Sequence, residues 1–180
     1  VQAHERADMD AWIERAGAII GGELDLDAIA GLAAPATSRL SESVPLPTLG
    51  SHIAIAADDA FAFTYAHLTD GWRAAGATLS YFSPLNDEAP DGLADAVFLP
   101  GGYPELHAPR LAGNGDFLGG LRDAAQRAAV IYGECGGFMV LGESLTDADG
   151  TEHAMAGLLP VKTSFAARRL HLGYRRLRLL

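Results

Sequence analysis

A short apolar run, His52-Ile53-Ala54-Ile55-Ala56-Ala57, stands between Gly50 and the pair Asp58-Asp59. It is bounded by breakers on both sides, and it reads as a strand buried on both faces. Further strand-like runs follow at 78–82, 94–99 and 129–132. Segments of helical spacing lie between them. Residues 60–75 place Phe61, Tyr65, Leu68 and Trp72 on one face and end at Gly76, while 111–128 carries another helix interrupted early by Gly113 and Gly115. Strand alternating with helix predicts an α/β fold, a mostly parallel sheet with helices on both faces. After Gly142 the rhythm changes. Asp147-Ala148-Asp149-Gly150 is a turn signal between shorter extended pieces, which predicts a small antiparallel excursion near the C-terminus.

The first fifty residues read differently. Residues 8–20 predict a helix that Asp8 or Asp10 can cap, stopped by Gly21-Gly22, and a shorter helical piece follows over 24–32. From 33 to 50 the composition turns to Ala, Pro, Ser and Thr, with Pro35, Pro45 and Pro47, as in a linker. We therefore expect the tail of one domain over 1–34, a linker over 35–50 and a second domain over 51–180. The opening Val1-Gln2-Ala3, without methionine, is expected to mark a fragment or a chain whose start is not seen.

Composition narrows the partners. A net charge of −10 speaks against a broad nucleic-acid surface, and no apolar run reaches the ~18 residues that cross a bilayer. A single cysteine excludes an intrachain disulfide and, with no secretory signal in view, points to the cytoplasm. No Asp or Glu follows Glu152, yet Arg168, Arg169, Arg175, Arg176 and Arg178 crowd the end. Either the cluster has lost acidic neighbours at a truncation point, or it is an edge that contacts anions.

That lone cysteine lies in Gly133-Glu134-Cys135-Gly136-Gly137, directly after the fourth strand. This is the G-x-C-x-G form of a nucleophile elbow: small flanking residues let the chain turn sharply and lift the side chain above the sheet. The helix expected next aims free N–H groups at the sulfur. A buried, inert cysteine is the competing reading, and the glycines on both sides argue against it. A second glycine turn, Pro100-Gly101-Gly102-Tyr103-Pro104-Glu105, follows the third strand and so shares the carboxyl edge of the sheet with the elbow. Its backbone N–H groups, with that of Gly136, can meet an oxyanion.

Together these two motifs resemble the class I (triad) glutamine amidotransferase domain, and more narrowly its cobyrinate and hydrogenobyrinate a,c-diamide synthase branch. Supporting stretches are 53–65, Tyr81-Phe82-Ser83-Pro84-Leu85-Asn86-Asp87, Met155-Ala156-Gly157-Leu158-Leu159-Pro160 and Leu172-Gly173-Tyr174-Arg175. Val1-Gln2-Ala3-His4-Glu5 resembles the end of the N-terminal ATP-using domain of that branch; His67-Leu68 departs from the expected Asn-Leu. The resemblance implies a flavodoxin-like class I amidotransferase fold and an ATP-dependent ligase of cobalamin biosynthesis. It implies Cys135 as the nucleophile that forms a glutamyl thioester, Gly102 and Gly136 as backbone donors of the oxyanion hole, and Tyr103 and Glu105 near the glutamine pocket. L-glutamine is then the substrate of this domain and a corrin macrocycle that of the whole enzyme, with no nucleic acid or membrane among the partners and a homo-oligomer left open. No cofactor or metal is implied for this chain; ATP and Mg²⁺ are implied for the ATP-using domain.

A cysteine nucleophile needs a base, normally histidine. The resemblance places it beyond Leu180, after the final strand, so the chain alone is expected to be inactive. His4, His52, His67, His107 and His153 fit the role poorly, and His171 is the one late candidate. Three other readings stay open: the amidotransferase domain of a related cobyric acid synthase, a cysteine hydrolase with the same elbow, and a non-enzymatic glutamine-binding module.

Overall fold

The computed structural model describes residues 6–34, 47–167, 173, 174 and 176. Two compact units divide the chain, Val1–Ser43 and Val44–Leu180. The first holds α1 (Met9–Glu23) and α2 (Leu26–Gly31), neither with a buried residue. Asp8 occupies the N-cap of α1, but its carboxylate accepts from Arg6 (2.8 and 2.9 Å) and Arg15 (3.2 Å) and leaves the helix amides uncapped. Asp25 does cap α2, accepting from Ala28 N at 2.9 Å. Of the expected linker, 35–46 lies outside the described residues.

The second unit is an α/β layer structure. Its elements run β1 (His52–Ala56), α3 (Ala66–Ala74), β2 (Thr78–Phe82), β3 (Ala96–Leu99), α4 (Ala108–Gly113), α5 (Gly115–Gln126), β4 (Val130–Gly133) and α6 (Gly136–Leu141). All four of these strands are parallel, in the order β2-β1-β3-β4. Period-two alternation sends their side chains to opposite faces. Ile53, Ile55, Ala96 and Phe98 pack against Trp72 of α3. Ala54, Ala56, Val97 and Leu99 pack on the other side with Leu111, Phe117, Leu121, Val140 and Leu141 of α4, α5 and α6. Helices thus cover both faces, as the alternating pattern predicts.

Beyond α6, β5 (Ser144–Thr146), β6 (Glu152–Ala154) and β7 (Lys162–Ser164) form a separate sheet, ordered β6-β5-β7. The β5–β6 pair is the expected antiparallel hairpin; β7 then joins β5 in parallel, making the sheet mixed. Gly173, Tyr174 and Arg176 belong to no strand, and the residues between and after them are outside the described residues.

Two helix boundaries depart from the periodicity. The helix expected from residue 60 begins only at Ala66: Asp58 closes a turn through the amides of Ala60 (side chain, 2.9 Å) and Phe61 (backbone, 3.0 Å), and the Phe63 amide, which such a helix would turn back on itself, donates to Gly101 O (3.0 Å) in an isolated β-bridge. Phe61 and Tyr65 have helical spacing, yet Phe61 is buried ahead of the helix and Tyr65 is its N-cap. The helix expected over 111–128 is two, α4 and α5, which meet at Asn114. There Asn114 Nδ2 donates to Pro84 O at 2.6 Å and Asp87 accepts from Phe117 N at 2.9 Å, which docks the start of α5 on the turn after β2.

Candidate active site

In a parallel sheet, the loops that follow the strands share one edge. Strand order reverses direction between β1 and β3, and there the loop after β1 packs on the turn after β3, Phe63 N donating to Gly101 O at 3.0 Å. The loop after β1 (57–65), the glycine turn after β3 (100–107) and Glu134-Cys135 after β4 all lie on that edge.

Cys135 is exposed and has φ 49° and ψ −113°, a left-sided conformation that costs a non-glycine residue about 1–3 kcal/mol. The surrounding backbone holds it there. Glu134 N donates to Leu99 O (3.1 Å), Gly137 N to Glu134 O (2.8 Å) and Met139 N to Cys135 O (3.2 Å). Gly137 lies so close to the carbonyl of Leu99 that a Cβ would collide with its oxygen. The turn therefore forces Cys135 into the strained conformation and requires a glycine behind it.

The β3 glycine turn lies directly beside the nucleophile. A Cβ on Gly101 would fall 3.2 Å from Cys135 Cβ. A Cβ on Gly136 would fall 3.3 Å from Gly102 N and 2.6 Å from Pro104 Cδ, so these two backbones run side by side. Helix geometry leaves the Gly136 N–H without an intrahelical acceptor. The structure thus brings Cys135, Gly102 and Gly136 into one cluster. Tyr103 is half-buried and meets Phe63 edge to face, ring centroids 5.1 Å apart. Glu105, also half-buried, stands in the 3₁₀ turn Pro104–Leu106 beyond it.

Of the described histidines, His52 and His153 are engaged away from this cluster. His52 opens β1 at the opposite edge of the sheet, its Nε2 2.9 Å from Ser80 Oγ. His153 Nε2 lies 2.7 Å from Asp147 Oδ2 in the β5–β6 hairpin. His67 is on α3 with its ring 5.7 Å from that of Tyr65, and His107 is the N-cap of α4. His4 and His171 lie outside the described residues, as do Arg168, Arg169, Arg175 and Arg178.

Sequence reasoning treated Asp58 only as the end of a strand. In the structure its carboxylate joins the loops after β1 and β2, accepting from Ser83 Oγ (2.9 Å) and Leu85 N (2.8 Å) as well as Ala60 N. The signal available was an Asp followed two residues on by a small residue, the pattern of an Asx turn; its more distant partners leave no local mark.

Among the described residues, no group of three or more His, Cys, Asp and Glu could hold a metal. The one lysine, Lys162, follows Val161 instead of a phosphate-cradling glycine and bonds Glu152 at 3.0 Å. No described helix is long and apolar enough to cross a membrane.

A family profile described as the CobB/CobQ-like glutamine amidotransferase domain matches residues 52–178. The chain is 55% identical over 177 residues to a hydrogenobyrinate a,c-diamide synthase of Brucella anthropi, covering 97% of this chain and 41% of the relative. Against proteins of the same name from Sinorhizobium sp and Rhodobacter capsulatus the identities are 54% and 49%, covering 98% and 97% of this chain and 41% and 40% of those relatives. The chain thus spans about two-fifths of the length of the curated relatives it matches.

Proposed function

The chain belongs to the CobB/CobQ-like glutamine amidotransferase domain family, and from that premise we propose that it hydrolyses glutamine to supply ammonia to an ATP-dependent corrinoid a,c-diamide synthase. The observation that carries the reading is the strained, exposed Cys135 with the Gly101-Gly102 turn against it on the carboxyl edge of the sheet. Cys135 Sγ attacks the side-chain amide carbon of glutamine, and the carbonyl oxygen takes up the negative charge. The N–H groups of Gly102 and Gly136 stabilise that oxygen. The C–N bond then breaks, ammonia leaves with a proton from the base, and a glutamyl thioester remains. Water cleaves the thioester, releasing glutamate and restoring the thiol. Tyr103 and Glu105 line the glutamine pocket.

The base on this reading is a histidine in sequence that follows these 180 residues. The positions of His52 and His153, both engaged away from Cys135, support the assignment. ATP and Mg²⁺, which activate the acceptor carboxylate when bound, belong to a part of the enzyme outside this chain. Residues 1–34 are the tail of that ATP-using domain, and 51–180 belong to the amidotransferase domain. The names of the relatives favour a,c-diamide synthesis over the cobyric acid synthase alternative. In the full-length protein, Cys135→Ser should lower glutamate release at least about a thousandfold while amidation driven by added ammonia continues. A serine variant that still hydrolyses glutamine at the original rate, or an enzyme that cleaves simple esters equally well, would contradict the proposal.

A further inference from the structure

We infer that Asp58 is a positioning residue for the oxyanion-binding amide of Gly102, an inference that rests on the amidotransferase reading above. The connection is short and continuous. Asp58 closes the turn after β1 by accepting Ala60 N on its Oδ1 (2.9 Å) and Phe61 N on its own carbonyl (3.0 Å). That turn places the Ala60 carbonyl so close to Gly102 that a Cβ there would collide with the oxygen. Two residues past Phe61, the amide of Phe63 donates to Gly101 O at 3.0 Å. The 58–63 turn is therefore the wall against which Gly101 and Gly102 are set, and Ala60 and Phe61 within it are fully buried.

Asp58 also anchors that wall to the rest of the sheet edge. Its Oδ2 accepts from Ser83 Oγ (2.9 Å) and Leu85 N (2.8 Å), and Ser83 is itself held by its amide donating to Glu88 Oε2 (2.7 Å). Every polar contact of the carboxylate is as an acceptor, so the site needs two acceptor oxygens. Asparagine supplies only one. With its oxygen on Ala60, its Nδ2 can still meet Ser83 Oγ but opposes the Leu85 N–H, donor against donor. The turn would then loosen where it backs Gly102, which matters most when charge develops on the substrate oxygen.

The test uses the full-length protein carrying Asp58→Asn, Ser83→Ala or Cys135→Ser. Displacing an oxyanion donor costs about 10²-fold, so Asp58→Asn should lower kcat for glutamine hydrolysis about tenfold to a hundredfold. KM for glutamine should stay within about threefold, and ammonia-driven amidation should be unchanged. Ser83→Ala, which keeps the Ala60 and Leu85 bonds, should show a smaller loss of the same kind. An unchanged kcat in Asp58→Asn overturns the inference. So does a parallel fall in ammonia-driven amidation, which would mark Asp58 as a general structural staple. Full glutamine hydrolysis in Cys135→Ser would instead overturn the underlying reading.

Discussion

Cys135 and Gly102 are linked by steric necessity. A side chain at φ 49° stays there only because Leu99 O and Glu134 O fix the turn around it. On the other side of the turn, the Ala60 carbonyl leaves no space for anything larger than glycine at 102. Gly102→Ala should therefore force the turn off the Ala60 carbonyl, displace the Gly102 amide and reduce kcat/KM for glutamine about a hundredfold, read by steady-state glutamate release. An alanine variant at the original rate would mean that this amide has no part in the reaction. The glycine–cysteine pattern was legible in the sequence because steric crowding leaves a local mark, small residues at fixed offsets. The partners of Asp58, 25 and 27 residues away, leave none.

At the scale of elements, hydrophobic spacing located every strand of the main sheet and missed where helices start. Phe61, Tyr65, Leu68 and Trp72 satisfy a helical period, but the Phe63 amide that a helix from residue 60 would use donates across to Gly101 O. Polar residues also set the stability of short pieces. The Asp147 carboxylate is held below its ordinary value of 3.8 by the hydrogen bond from His153, then by the amides of Thr151 and Asp149. Asp95 is held low chiefly by the amides of His52 and Ser51, which tie the start of β1 to the loop before β3. A depressed carboxylate contributes stability that is complete above its unfolded value and lost as pH falls through the lower folded value. The urea midpoint should thus be insensitive to these two groups near neutrality and fall as pH drops below about 4. Asp147→Asn should lower the plateau and shrink that fall. An acid limb identical in both proteins would show that the Asp147 contacts add nothing.

For the second unit as a whole, function follows from strand order. The β2-β1-β3-β4 strands are all parallel, so the glycine turn after β3 and the cysteine after β4 fall side by side on one carboxyl edge. The alternation of elements made the layered fold legible. The direction of β7 was not, because a three-residue strand carries no pattern that distinguishes parallel from antiparallel pairing. On the proposed mechanism Cys135 forms a covalent bond to the side-chain carbonyl carbon of glutamine. Treating the full-length protein with an electrophilic glutamine analogue and mapping the modified peptide by mass spectrometry should give a single adduct, on Cys135, suppressed by excess glutamine. An adduct on another residue, or continued glutamine hydrolysis with Cys135 fully blocked, would contradict it.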